Sequence, residues 1–374
     1  MCRRSSNVIV IMQENHSFDN YFGALAYAPN SPYRHDLNGC RKEDHDCVDG
    51  LTCKTDASGN ITCFNSNVDD NGSTVFSFHD SRRCAGPDLD HSWFQTHQEV
   101  NFLQPMTTLA NPLSDGFVRV NDITEQHDNG VESPTDDQTM GFYTQDDIPF
   151  YYDLAQKFAV GDRYFAAVLG PTFPNRSYLL AATSFGHDHV ASPSPAQGHQ
   201  RTPDGISPGQ CADLSNVPAS LQPGAGAECA QNLLSKTDTT VKDAEELCPE
   251  LAANPTGPYP DGCPSFDQLG LRVPFLAISA FSKPHYVSHT IGSHTSLLAF
   301  IENRFMSLDN DSTDNSDLAS DDPGASRGAR KPHQHLTLRD QHANTLEDLF
   351  DFDRSPSLNT AIGQALPPAV DCTP

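Results

Sequence analysis

The chain has 374 residues, enough for one large α/β domain or two ordinary ones, with 23 lysines and arginines against 49 aspartates and glutamates. The resulting formal charge of −26 repels nucleic acid and anionic lipid headgroups at long range, which argues against a duplex-binding role. No apolar run approaches the length needed to cross a bilayer, and an anionic substrate would bind only where a metal or a helix N-terminus reverses the field locally.

The opening Met1 to Ser6 leads directly into an apolar run and leaves no room for a signal peptide. That run, Val8 to Met12, is rich in β-branched residues and predicts a strand buried on both faces, as in a parallel sheet. It stops at Gln13-Glu14-Asn15-His16, at the strand end where open α/β sheets bind ligands. Glu14 and Asn15 offer a carboxylate and an amide carbonyl, oxygen donors suited to a hard divalent cation. The same two residues could equally cap the following helix. Ser17 is placed to cap a short helix carrying Phe18, Tyr21 and Phe22.

Five of the eleven cysteines, Cys40, Cys47, Cys53, Cys63 and Cys84, fall in a polar insertion over 33–87 that reads as a surface excursion. Cys53 and Cys63 flank the turn-rich Thr55-Asp56-Ala57-Ser58-Gly59-Asn60, which predicts two hairpin strands joined by a disulfide. A zinc site of Cys40, His45 and Cys47 is the rival. The absence of paired Cys-x-x-Cys spacing favours disulfides, and with them an exported protein.

Further along, Asp146-Asp147 suit a helix start, and Tyr151, Leu154, Ala155 and Phe158 follow the i, i+3, i+4, i+7 pattern of one buried face. Tyr164 to Leu169 predicts a second buried strand, followed by the turn Gly170-Pro171-Thr172 and a helix over Ser177 to Thr183. Residues 187–263 are loop-rich, dominated by Pro, Gly, Ser and Ala. Val273 to Ser279 predicts a third strand, and a helix follows with Leu297, Leu298, Ile301 and Phe305 on one side.

Thr172 sits between a strand and a helix, where its hydroxyl shares a site with helix N-terminal NH groups that bind and stabilise a phosphoryl oxygen. Alone, Gly-Pro-Thr is simply a turn. His91 is of a type that can protonate a leaving alkoxide, and His285, His289 and His294 lie near the exit of the third strand.

Several stretches together resemble one family. They are Glu14-Asn15-His16-Ser17-Phe18-Asp19-Asn20-Tyr21-Phe22-Gly23, Asp90-His91-Ser92-Trp93, the run from Phe142 through Gly170-Pro171-Thr172-Phe173-Pro174-Asn175-Arg176, and Arg272 through His294-Thr295-Ser296. They resemble the phosphoesterases that include bacterial-type phospholipases C and metal-dependent acid phosphatases, within the alkaline-phosphatase-like superfamily. The resemblance implies an α/β fold with a mostly parallel sheet and helices on both faces, in a single domain over 1–374. It implies one divalent metal ion held by Glu14, Asn15 and Thr172, with Thr172 as nucleophile and His91 assisting the leaving group. The substrate would be a lipid or small phosphoester, and the location extracellular or periplasmic.

Two departures accompany the resemblance. Ser293 stands where members carry Asp, and the chain lacks an internal strand segment ending in an acidic pair, its Thr183-Ser184-Phe185-Gly186-His187 running straight into Asp188-His189-Val190. The expected function is hydrolysis of phosphoric esters. The alternatives are a catalytically impaired remnant or misassembled gene product that keeps the fold, and a secreted binding protein acting through the cysteine-rich insertion.

Overall fold

The computed structural model describes residues 7–81, 89–103, 105, 113–122, 139–182, 184, 269–305, 339–340 and 343–357. Its centre is a three-stranded sheet of β7 (Ala159–Gly161), β9 (Phe275–Ala277) and β10 (Tyr286–Ser288), in the order β10-β7-β9. β10 runs parallel to β7 with Val287 opposite Val160, and β9 runs antiparallel with Ala277 opposite Ala159. Because side chains alternate across a strand, the two valines enter one core and the two alanines another.

The valine side is covered by α1 (Phe18–Phe22) and α3 (Pro149–Lys157), through Phe18, Phe22, Tyr152 and Ala155. The alanine side is covered by α5 (His294–Phe305), through Phe300, and by a 3-10 turn at Glu347–Leu349. The architecture is mixed α/β, with a small sheet between helices. Parallel pairing is real but local: β8 (Tyr164–Phe165) pairs with β11 (Gly292–Ser293), and β5 (Phe78–His79) pairs with β6 (Gly141–Phe142), each over two residues. The predicted third strand forms, yet antiparallel to its neighbour, so the central sheet is mixed rather than mostly parallel.

The predicted first strand does not form. Val8, Ile9, Val10 and Ile11 are 37%, 84%, 43% and 78% exposed, and no strand among the described residues pairs with them. The physical reason is that β propensity is realised only when a neighbouring strand accepts the backbone hydrogen bonds and covers the apolar faces. Ser17 does cap α1, its Oγ accepting from Asn20 N at 3.3 Å, so Glu14 and Asn15 are not the caps.

The insertion is part of the core rather than an excursion. The hairpin β1 (Cys53–Thr55) and β2 (Ile61–Cys63) forms with Cys53 opposite Cys63, and these two residues are disulfide-bonded. A second disulfide joins Cys40 to Cys47, which takes both sulfurs from the rival zinc site. Another hairpin, β3 (Ser66–Val68) with β4 (Thr74–Phe76), follows. Tyr33 and Val48 enter the valine-side core, while Leu51, Cys53 and Cys63 pack with Ala24 and Phe142. Tyr33, Val48, Leu51 and the four disulfide cysteines are buried, while Leu37, Phe64 and Phe76 are exposed, and disulfide sulfur packs as an apolar group.

α3 buries the predicted Leu154, Ala155 and Phe158, and α5 departs from its predicted phase. In α3 the acids do not open the helix; Asp147 instead accepts from the Thr144 backbone NH and hydroxyl, both at 2.7 Å. In α5 the buried side is His294, Thr295, Ser296, Ala299, Phe300 and Glu302, with Leu298 half-buried and Phe305 exposed. Small residues let α5 approach its neighbours closely, so its contact face is not its most apolar one. The loop-rich region 187–263, including Asp188, lies outside the described residues.

Candidate phosphoester site

Glu14 and Asn15 lie at the end of the exposed apolar run, and both are exposed. The run is anchored at that end by side chains. Gln13 Oε1 accepts from the Tyr151 hydroxyl at 2.7 Å, and Glu14 Oε1 accepts from Arg176 Nε at 2.6 Å. His16 packs at ring distances of 5.1 Å from Tyr21 and 5.9 Å from Tyr143, and burial lowers its pKa from the usual histidine value.

Arg176 belongs to α4 (Thr172–Ala181), whose first residue is Thr172. The helix begins five residues earlier than its apolar pattern suggests, because Pro171 in extended conformation sets up its first turn. Thr172 and Arg176 are four residues apart and so lie on one face of the helix. Asn175 staples the turn before it. The Val168 backbone NH donates to Asn175 Oδ1 at 3.1 Å, and Asn175 Nδ2 donates to the carbonyls of Val168, Gly170 and Pro171 at 3.2, 3.0 and 3.2 Å. Sequence reasoning gave Asn175 no role of its own. An Asn four residues after a Gly-Pro turn, with several carbonyls to satisfy, was the available signal.

The same turn receives α2 (Trp93–Val100). A Cβ on Gly170 would meet Trp93 Cε3 at 2.8 Å, so only glycine lets the indole lie against the backbone two residues before Thr172. Trp93 completes that contact with Ala167, Val168 and Tyr178. Ser92 caps α2, and His91 immediately precedes it, its Nδ1 2.8 Å from the Leu89 carbonyl. That contact places a proton on Nδ1, which donates it to the carbonyl.

The structure therefore links Glu14 to the Thr172 helix through Arg176, and His91 to the Thr172 turn through Trp93 and Gly170. No hydrogen bond joins Thr172 to Glu14 among the described residues. The three other histidines separate. His285 is exposed. His294 is buried under Tyr164, whose hydroxyl lies 3.2 Å from Nδ1, and burial with nearby Arg339 pushes its pKa down to about 4. His289 pairs with Asp162, a residue that sequence reasoning passed over, at 2.8 Å. The missed signal was the short apolar Phe158-Ala159-Val160-Gly161 ending in an acid, the same pattern as Val8 to Glu14.

A divalent ion at Glu14, Asn15 and Thr172 would find one carboxylate, one amide and one hydroxyl. That carboxylate is already neutralised by Arg176 at 2.6 Å. Hard divalent ions need several anionic oxygens, so this donor set does not fit one by itself. The group of metal-ligating types that does converge among the described residues is Cys40, Asp162 and His289, elsewhere in the fold.

Comparison with known proteins agrees with the motifs. The chain matches the model of the phosphoesterase family over residues 5–228 and 186–307. It is similar to phospholipase C B of Mycobacterium tuberculosis, 33% identical over 190 residues, which is 47% of this chain and 29% of that protein. It is similar also to non-specific phospholipase C4 of Arabidopsis thaliana, 30% identical over 184 residues, 48% of this chain and 29% of that protein. The matched part thus spans under a third of the length of these curated relatives. Over more than half of its length the sequence follows the family model, and on that ground the chain belongs to the phosphoesterase family.

Proposed function

We propose that the chain hydrolyses phosphoric esters of the phospholipase C type, with Thr172 as nucleophile and His91 as the proton donor. The observation that carries this reading is the placement of the Thr172 hydroxyl at the N-terminus of a ten-residue helix, on a turn that Asn175 and Trp93 hold from either side. The NH groups of Thr172 and Phe173, at the start of the first helical turn, have no partner within the helix and carry a positive partial charge, while Pro174 offers none. They bind a phosphoryl oxygen there and stabilise the charge that grows on it, against the repulsion of a strongly acidic protein.

Thr172 Oγ1 gives its proton to solvent water and attacks phosphorus, forming a P–O bond as the bond to the leaving alkoxide breaks. His91, as the imidazolium, gives its Nε2 proton to that alkoxide; the neutral ring then takes a proton from the water that cleaves the phosphothreonine, and the Thr172 oxygen regains a proton from solvent as the phosphate product leaves. Glu14, Asn15 and Thr172 remain the proposed contributors to a metal centre, but only together with further carboxylates, and no step above depends on one. Both relatives named above are phospholipases C, which supports a phospholipid as the substrate. The two disulfides suit an oxidising compartment outside the cell.

The test is Thr172→Ala against the parent chain on a chromogenic phosphocholine ester, with rapid acid quench and peptide mass analysis. The parent should show a phosphate on the peptide containing Thr172, and the variant should lose that adduct and its turnover while keeping the parent's circular dichroism. Turnover near the parent level in Thr172→Ala would overturn the assignment.

A further inference from the structure

Asp162 follows β7 and His289 follows β10, its parallel neighbour, so both residues stand at the carboxyl edge of the central sheet. The loop closed by the Cys40–Cys47 disulfide lies against them. Ligand atoms of Cys40, Asp162 and His289 fall within 4.8 Å of one another, and these residues are 7%, 0% and 3% exposed. A sulfur bonded to another sulfur is a poor metal ligand, because the thiolate is the ligating species. Cys47, its disulfide partner, is fully buried seven residues further along the same loop. Cleaving the one bond therefore frees the Cys40 thiol beside an imidazole and a carboxylate, with a second buried thiol on the same short loop.

Two sulfurs, one nitrogen and one oxygen in a closed pocket are the donors of a tetrahedral zinc site, and the single carboxylate does not suit calcium or magnesium. The surroundings tolerate the charge. Arg163 is occupied by Asp49, Nε to Oδ2 at 2.8 Å, and Arg272 by Asp19 at 2.6 Å. Asp162 Oδ2 already accepts from the Asp49 backbone NH at 2.8 Å, which orients the carboxylate as outer-shell bonds do in metal sites. His289 Nδ1 faces Asp162 and Nε2 faces the Asp44 carbonyl at 3.0 Å, so one of these contacts gives way when a ring nitrogen ligates.

We propose that the Cys40–Cys47 pair is a thiol–disulfide zinc switch: the reduced chain binds one zinc ion through Cys40, Cys47, His289 and Asp162, and the disulfide excludes it. A small dithiol reductant supplies two electrons and two protons to the bond and itself becomes a cyclic disulfide. Zinc then forms two Zn–S bonds and releases both thiol protons to water. In reverse, a small-molecule disulfide takes two electrons from the thiolates, the S–S bond re-forms and zinc leaves. None of the four residues belongs to the proposed phosphoester site, so this proposal stands or falls independently of that one.

The test uses the full chain, oxidised or reduced with a non-chelating phosphine, dialysed against zinc and assayed for metal per chain. Cobalt substitution adds the thiolate charge-transfer band as a readout of sulfur ligation. Because the chain has eleven cysteines, the Cys40→Ser/Cys47→Ser double variant is the reference for zinc bound elsewhere. The reduced parent should hold one zinc more than the oxidised parent and one more than the reduced double variant. His289→Gln, which keeps the disulfide, should weaken that zinc by at least about tenfold. Should His289→Gln not fold, the double variant still decides. Equal zinc and an equal cobalt band in the reduced parent and the double variant would overturn the proposal.

Discussion

Glu14 and Arg176, the latter on the helix that begins at Thr172, sit 2.6 Å apart with side chains 30% and 43% exposed. At that exposure the ion pair contributes little to stability, but it sets what else Glu14 can hold. A cation arriving at Glu14 must displace a guanidinium from the same carboxylate oxygen. Arg176→Gln should therefore strengthen divalent-ion binding by about tenfold in calorimetric titration while leaving the melting temperature unchanged. Unchanged affinity would show that Glu14 is not a cation ligand. The family motifs that contain Thr172 and Glu14 were legible in the sequence because they are local. Arg176 as the partner of Glu14 was not, since 162 residues separate them and only folding brings them together.

At the scale of elements, the clearest divergence is the run from Val8 to Met12. Every local signal there predicts a strand, but a strand is a two-body structure that needs a partner to accept its hydrogen bonds. Exposed, apolar and without a strand partner among the described residues, the run is a template for association with other chains. Ile9→Lys with Ile11→Lys should leave unfolding free energy within about 0.5 kcal/mol of the parent, as for exposed sites generally, and should suppress concentration-dependent light scattering. A loss above about 2 kcal/mol in denaturant unfolding would show that the run is buried in solution. The helices were more legible. Their existence followed from periodicity, while their start and phase followed from particulars: Pro171 for the first turn of α4, and the small residues Ser296 and Ala299 for the contact face of α5.

For the whole molecule, buried titratable groups set the pH at which the fold is most stable. Burial lowers the pKa values of His16, His97 and His294, the last to about 4 from 6.5. Each stays neutral in the fold but charges in the unfolded chain, so stability is full above about pH 6.5 and falls as pH drops toward 4. Glu99 acts in the opposite sense. Burial pushes its pKa up to about 8 from 4.5, so the fold keeps a proton that the unfolded chain gives up. Its stabilisation is complete below 4.5 and is lost as pH rises through 8. The two effects place maximum stability near pH 6.5, with a decline toward pH 8 carried by Glu99. Glu99→Gln should flatten that alkaline decline in urea midpoints measured from about pH 6.5 to about pH 8. A parent-like decline in the variant would assign it to another group.

By itself the sequence determined the family, the α/β class, the Cys53–Cys63 hairpin and the capped helix after Ser17. Each of these is written in contiguous residues, as a motif, a turn between two cysteines, or a cap and its first turn. Tertiary structure alone decided the rest. It sent β9 antiparallel to β7, drew the cysteine-rich insertion into two cores, and left the first apolar run without a strand partner among the described residues. It also put Arg176 on Glu14, Trp93 against Gly170, and Asp162 with His289 beside the Cys40–Cys47 bridge. The physical reason is common to all of these. Pairing direction, burial and charge neutralisation depend on which distant segment arrives at a surface, and local propensity carries no information about that arrival.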